Sequence, residues 1–294
     1  MADPFYSICM INLNMVGTIK QAVTSVARQL NDNFEIIIVD GGSTDGSIDI
    51  IEDLIEEFPI IRLHKLSRDS RRLIGADRNT SVDLARGKYV LLNIDCDDIY
   101  NSFILDWIYA FHLIEKKIGK DILVSGMHIN MLKKELFKSL GGYKNIRFED
   151  RDLWMRCATR GIWVFWKHVD FVTRMGRSPS QRVYKLLLEN YHGLMSDHRQ
   201  GLGGWKCMSL LLRTFFLKPG LHSAVRVLLS LPAFVHSRFC SALNHDHKFD
   251  PVSFSSYRKL HHMTLCEIVD ISSAEIAAGF QNQEAQGIFL ADQS

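Results

Sequence analysis

Three carboxylates fall within four positions, at Asp95, Asp97 and Asp98, directly after the largely apolar run Tyr89-Val90-Leu91-Leu92-Asn93-Ile94. Such a run, with Gly87 before it, predicts a buried strand whose carboxyl end carries the acids. Carboxylates this close repel one another unless a cation or a hydrogen-bonding ligand sits among them. Their hard oxygen donors suit a divalent metal held against a nucleotide diphosphate, with a solvated Asp-rich turn as the alternative. A second polar strand end follows Phe34 to Val39: Asp40-Gly41-Gly42-Ser43-Thr44-Asp45-Gly46. Its glycines permit a tight turn or a close ligand, and Asp45 reads as a helix cap. A third acidic group, Glu149-Asp150-Arg151-Asp152, precedes helical spacing at Leu153, Trp154 and Cys157, a placement the helix dipole favours. Cations at His64, Lys65, Arg68, Arg71 and Arg72 lie between the second group and the first.

The elements that must position these groups alternate along the chain. Strands are expected over Tyr6 to Leu13, Phe34 to Val39, Ile60 to Leu63 and Tyr89 to Ile94, separated by amphipathic helices. That alternation implies a parallel sheet with helices on both faces, and ligands in such sheets bind beyond the carboxyl ends of the strands. Leu13-Asn14, Asp40 and Asp95 to Asp98 all fall at such ends. A helix is expected from Phe103 to Lys117, one or two strands between Asp121 and Met131, and a strand pair or one bent strand over Ile162 to Val172. Trp154 is expected in the core, Arg156 as the partner of Asp152 one turn back, and His128 as a satisfied core histidine, an acceptor-site role being the alternative.

Composition narrows the class. Hydrophobic content of 47% and charged content of 23% describe an ordinary globular protein, and a net charge of +2 gives no argument for nucleic acid. Six scattered cysteines without a Cys-x-x-Cys pair fit free thiols in a reducing compartment. The first residues lack the basic and apolar regions of a secretory signal, and no run is long and apolar enough to span a bilayer. A cytoplasmic location, at a membrane face or free of it, is expected. His245-Asp246-His247 and His261-His262 lack further ligands at zinc spacing.

Read together, Val39-Asp40-Gly41-Gly42-Ser43-Thr44-Asp45-Gly46-Ser47, Arg78-Asn79, Ala85-Arg86-Gly87-Lys88-Tyr89, Asp95-Cys96-Asp97-Asp98 and Glu149-Asp150-Arg151-Asp152-Leu153-Trp154 resemble a family 2 glycosyltransferase of the GT-A fold. The likeness covers about Phe5 to Val172. It implies an α/β Rossmann-like mixed sheet flanked by helices, and an inverting, metal-dependent transfer of a sugar from a nucleotide donor. The resemblance puts Asp40 on the nucleobase, Asp95 and Asp97 on the donor ribose and on Mg2+ or Mn2+, and Asp150 at the acceptor hydroxyl as general base. The backbone at Ile11, with Asn14, Arg71 and Arg72, completes the expected donor contacts, while Asp98, Glu149 and Asp152 are neighbouring acids of the same site. Two departures stand out. The first strand ends Ile11-Asn12-Leu13-Asn14 where relatives often carry Pro-x-Tyr-Asn, and Gly41 stands where many carry a second acid.

Beyond about Arg174 the likeness fades. Residues 1–175 are read as the catalytic domain, 176–280 as a helical, basic, amphipathic extension, and 281–294 as a mobile polar tail. Trp205 to Phe239 interleaves apolar blocks with Lys206, Arg213, Lys218, Arg226 and Arg238. Two helices in a membrane interface have this pattern, as does a hairpin packed on the catalytic domain or on another subunit. Ser272 and Glu275 predict a capping box on a short helix ending at Gly279. The expected partners are a nucleotide-diphosphate sugar and a glycan or polyprenyl-lipid-linked acceptor. A sugar-phosphate nucleotidyltransferase and a non-catalytic sugar-nucleotide binding module are the alternatives; the first usually has a Gly-rich basic loop near the N-terminus, which Ile11 to Ile19 lacks.

Overall fold

The computed structural model describes residues 3–166, 168–175, 179–199, 204–239 and 263–290. Its centre is a seven-stranded mixed sheet. The first half alternates as expected: β1 (Tyr6–Asn12), α1 (Ile19–Ala27), β2 (Phe34–Asp40), α2 (Ser47–Glu57), β3 (Ile61–Lys65), α3 (Ile74–Leu84) and β4 (Tyr89–Leu92). A short β5 (Asp98–Tyr100) precedes α4 (Ile104–Ile118), β6 (Leu123–Ser125), β7 (Asn130–Lys133), α5 (Lys134–Ser139), α6 (Glu149–Thr159), β8 (Trp163–Phe165) and β9 (Val172–Arg174). The sheet order is β3-β2-β1-β4-β7-β6-β8, and β5 pairs with β9 as a separate antiparallel ribbon.

Strands β1 to β4 are parallel, β7 runs antiparallel to β4 and β6, and β6 is parallel to β8. All seven residues of β2 are buried, as its continuous β-branched run requires for a strand covered on both faces. Alternate side chains split between two cores. Ile8, Met10, Ile36, Ile38 and Leu91 pack with α1, α2 and α4 on one face, while Cys9, Ile37, Val39, Val90 and Leu92 pack with α3, α5 and α6 on the other. The chain leaves β1 to build β2 and β3, then returns to lay β4 on the opposite side of β1. That reversal opens a crevice beyond the carboxyl ends of β1 and β4, between residues 12–14 and 93–98.

The expected strand pair over Ile162 to Val172 resolves into β8 and β9, which belong to different sheets. After β9 come three helices, α7 (Pro179–Arg199), α8 (Gly204–Leu217) and α9 (Leu221–Ser237), the last running through Pro232. They pack on one another around Leu194, Cys207, Leu211 and Ala233. Outward they present Trp205 (87% exposed), Phe216 (76%), Leu217, Leu221, Leu228 and Leu231. Among the described residues no helix is long and apolar enough to cross a membrane.

The chain then returns to the central sheet through α10 (Leu265–Val269), α11 (Ser273–Ala277) and α12 (Ala285–Phe289). The capping box of Ser272 and Glu275 is formed at the start of α11. Residues 281–290 correct the expectation of a mobile tail. Ala285 and Phe289 are buried in the main core, and Phe289 contacts Phe103, Trp166, His168 and Phe171. The buried Asp106 carboxylate accepts the Gln281 N–H at 2.5 Å, and the Val169 N–H donates to Ile288 O at 2.9 Å. Phe280, Ile288 and Leu290 pack against the same core and anchor the stretch with Ala285 and Phe289.

Candidate active site

The first wall of the crevice is built on a register match. Asn12 and Asp40 are neighbours at the ends of β1 and β2, both buried, and Asn12 Nδ2 donates to Asp40 Oδ2 at 2.7 Å and to Ser47 Oγ at 2.9 Å. Asp40 also accepts from Gly42 N at 2.9 Å, Ser43 N at 2.8 Å and Ser43 Oγ at 2.5 Å. A carboxylate has about four lone-pair sites, and here the loop fills them. In this arrangement the Asp40 carboxylate shapes the turn. Asn14, in the left-handed region at φ 54°, accepts Thr44 N–H at 2.9 Å and donates its own N–H to Ser43 Oγ at 2.9 Å. It ties the chain just past β1 to the same loop, three residues beyond Ile11, which lies opposite Val39 in the sheet.

The two arginines separate. Arg71 is 93% exposed and reaches only Asp69, at 3.7 Å. Arg72 turns inward, pairing with Asp77 at 2.5 Å and donating to Gly41 O at 3.1 Å. Asp77 bears on the missing second acid as well. A Cβ at Gly41 would lie 3.1 Å from Asp77 Oδ2, so a carboxylate from α3 fills the space beside that glycine.

The opposite wall carries the acids. Ligand oxygens of Asp95, Asp97 and Asp98 all lie within 4.8 Å of one another. Oxygens bound to one divalent cation at about 2.1–2.4 Å lie no more than about 4–5 Å apart, so the cluster fits a hard metal such as Mg2+ or Mn2+. Burial and the charges of Asp97 and Asp95 push the Asp98 carboxyl up to about 6, against the pull of His128 and Arg174. Asp95 is also raised, by desolvation and then by the charge of Asp97, against the pull of Arg78, although 43% of its side chain meets solvent. The His128 side chain, 9% exposed, is satisfied by carboxylates: Nδ1 lies 3.8 Å from Asp98 and Nε2 3.0 Å from Asp170.

Arg78 joins the two acidic groups. Its buried guanidinium lies 3.1 Å from Asp95 and 2.8 Å from Glu149, with its carbon 5.7 Å from the centre of the Tyr143 ring. Burial would push the guanidinium down, but Tyr143, Asp95, Glu149 and Asp150 around it keep it charged. Glu149 is pushed up to about 7 by burial, which Arg78 only partly offsets. Asp150 follows in the first turn of α6, half-exposed, and its charge is felt at Asp95, Arg78 and Tyr143. Phe148 enters this helix at φ 63°, which is strained for an aromatic residue and fixes where the two acids emerge. The approach of α3 to this turn needs Gly75, where a Cβ would lie 2.5 Å from Lys144 O. Asp152 is fully buried and pairs with Arg156 at 2.8 Å, so that pair braces α6 as expected; Trp154 stacks on Trp163 and donates to Asn130 Oδ1.

Sequence reasoning did not assign Asn12, Asp77, Arg78 or Asp170. Arg78 alone carried a signal, a cation on the inner face of a helix between Gly75 and Val82. The histidine pairs at 245–247 and 261–262 lie outside the described residues.

The sheet reverses at β1 and β4, with an acidic cluster at one strand end and a second acidic group across Arg78. Residues 7–109 match the family described as "Glycosyl transferase family 2". The chain is 32% identical over 111 residues to a "PGL/p-HBAD biosynthesis glycosyltransferase" of Mycobacterium bovis, an alignment covering 38% of this chain and 43% of that protein. The chain thus spans less than half the length of that relative. It is 26% identical over 183 residues to the Escherichia coli "UDP-Glc:alpha-D-GlcNAc-diphosphoundecaprenol beta-1,3-glucosyltransferase WfaP", covering 53% of this chain and 71% of that one. The solved structure of the Pyrobaculum calidifontis mannosyltransferase PcManGT with GDP-Man and Mn2+ superposes with a TM-score of 0.54 at 14% identity, over 98% of this chain and 84% of that chain. The fold is GT-A.

Proposed function

We propose that this chain transfers a sugar from a nucleoside diphosphate donor to a hydroxyl of a lipid-linked acceptor, with inversion, at a membrane surface. The observation that carries the reading is the bridge from Asp95 through Arg78 to Glu149, which sets the acids for the leaving group beside the acid for the incoming group. Asp95, Asp97 and Asp98 would hold a divalent metal, which supplies charge stabilisation at the departing diphosphate. Arg72, held by Asp77 at the Gly41 turn, adds positive charge on the donor side. The acceptor oxygen attacks the anomeric carbon, the bond from that carbon to the diphosphate breaks, and the acceptor proton passes to Asp150. One displacement inverts the configuration without an enzyme nucleophile. Glu149 keeps Arg78 in place and lends Asp150 a neighbouring acid. The acceptor class is supported by the E. coli relative, whose name specifies a diphosphoundecaprenol-linked substrate. It is also supported by the outward apolar row on α8 and α9 with Lys206, Arg213 and Lys218 among it.

The test is a thermal-shift screen of UDP- and GDP-sugars with and without Mn2+, since a ligand of the native state raises the midpoint by mass action. A metal-dependent shift with one donor is expected, and Asp150→Asn should keep that shift while transferring nothing. Transfer at the wild-type rate by Asp150→Asn would remove Asp150 from the role of base.

A further inference from the structure

A cleft of about 260 Å³ lies between the catalytic sheet and the helical module. At about 30 Å³ per water it has room for about eight waters, enough for a diphosphate. Leu73, Ile146 and Met195 give it an apolar floor, and Arg147, His192 and Arg199 give it cationic and hydrogen-bonding walls. No carboxylate is among the described residues that line it. Two of its lining segments lead along the chain into residues of the candidate active site. Leu73 follows Arg72, and Arg147 stands just before Glu149-Asp150. Asn145 fixes these two segments together, accepting the Leu73 N–H at 2.8 Å and donating to Arg71 O at 3.2 Å. The third wall, α7, is tied to the first turn of α6 by the ion pair of Arg151 with buried Asp197, at 2.7 Å. The cleft is thus built of three segments tied to one another, one of which leads along the chain into α6 and Asp150.

Its described lining offers the cations Arg147 and Arg199 beside His192. His192 is held neutral by desolvation, and then by the charges of Arg147 and His236, which leaves its ring to donate one hydrogen bond and accept another. Two guanidinium groups with an apolar floor match a phosphoryl group that carries a hydrocarbon. Met195 also packs against the core shared by α7, α8 and α9, so the floor runs into the module whose outer face is apolar.

We propose that this cleft binds the phosphoryl group of the acceptor, holding it while the acceptor hydroxyl reaches Asp150. The proposal rests on the reading of the site as a glycosyltransferase and names the chemistry by which its acceptor is recognised. That chemistry is a phosphate or diphosphate, borne either by a prenyl chain or by a soluble molecule.

The test uses the full chain in EDTA, so that metal-dependent diphosphate binding at Asp95, Asp97 and Asp98 does not contribute. Calorimetric titration with farnesyl diphosphate and with inorganic diphosphate should show saturable binding. Arg147→Gln and Arg199→Gln should each weaken both by about tenfold or more, the range for a charge-assisted hydrogen bond. Ile146→Trp, which fills the cleft and keeps its cations, should weaken both as well. Tighter binding of farnesyl diphosphate assigns the site to a prenyl-linked acceptor, and equal binding assigns it to a soluble phosphorylated one. Undiminished binding in Arg147→Gln and Ile146→Trp, or none to the wild-type chain, overturns the proposal. A separate titration with UDP and GDP in Mn2+ should be unchanged in Arg147→Gln. If neither nucleotide binds the wild-type chain, the transferase reading fails on its own, while the anion titration still decides the cleft.

Discussion

His168 makes the fold sensitive to acid in a way that can be separated from every other titration. Its ring is buried between Trp166, Phe171 and Phe289, with centroids 5.0, 5.5 and 5.4 Å away. Nδ1 lies 2.8 Å from Val169 O, which makes it the protonated nitrogen, so Nε2 is left to accept the Met127 N–H at 3.4 Å. A second proton would take away that acceptor and bury a charge. Desolvation accordingly pulls the imidazole down to about 4, outweighing the Val169 carbonyl. A folded-state pKa below the unfolded value of about 6.5 means that the stability is fully present above 6.5 and is lost as pH falls toward 4. At 1.36 kcal/mol per unit, about 2 kcal/mol should disappear between pH 7.5 and 5, and about 3 kcal/mol by pH 4. The raised carboxyls of Asp98 and Glu149 act in the opposite sense, stabilising at low pH and losing that contribution as pH rises toward about 6 and about 7. Total stability is therefore the wrong observable, and the difference from His168→Gln is the right one. Urea unfolding of both proteins, followed by tryptophan fluorescence, should show the wild-type advantage shrinking by about 2 kcal/mol from pH 7.5 to 5. Parallel curves for the two proteins across that range would refute the reasoning.

Further outcomes follow from the same contacts. Arg78→Met should cost about 2–3 kcal/mol at pH 7.5, the worth of hydrogen bonds to a charged group, and less at pH 5, where a proton on Glu149 replaces the guanidinium; urea melts at both pH values check it. Asn12→Ala removes donors from Asp40 and Ser47, so it should cost about 1–3 kcal/mol and weaken nucleotide binding, read by calorimetry. Cosedimentation with anionic vesicles at low salt should fall sharply in a Trp205→Glu, Phe216→Glu double variant and at high salt, because both apolar insertion and charge contribute. Equal recovery of wild-type and variant protein in the pellet would count against the outer face of α8 and α9 as a membrane surface.

What the sequence made legible was the catalytic edge of the sheet. The runs at Phe34 to Val39 and Tyr89 to Ile94 are long, apolar and sharply terminated, so both strands and the acids at their ends could be placed. Less accessible was how the acids are used. Asp40 is saturated by Asn12 and Ser43, a fact set by the register of β1 on β2 rather than by any local pattern. Arg71 and Arg72 are adjacent and alike in type; only the positions of Asp77 and Gly41 decide which turns inward. The ribbon of β5 and β9 has strands of three residues each, too short for a period to show. Phe280 follows Ala277-Ala278-Gly279 and Phe289 sits in the run Ile288-Phe289-Leu290, apolar pieces too brief on either side of Gln281 to Glu284 for a period to show.

That return of the chain has a consequence for how the protein is made. Residues 265–289 close the core around Phe103, Trp107 and Phe171, which were synthesised about a hundred residues or more earlier. The helical module is therefore an excursion clamped at both ends by the catalytic domain, not an appendage that could be shed from its end. A ribosome-bound chain that has already emitted every proposed catalytic residue would still expose the apolar side of α4 until Phe289 emerges. Contacts of such sequence separation form late and slowly. Any chain that stopped short of α12 would carry a complete set of site acids on an open core, and so would be a substrate for chaperones and proteases before it could be a transferase.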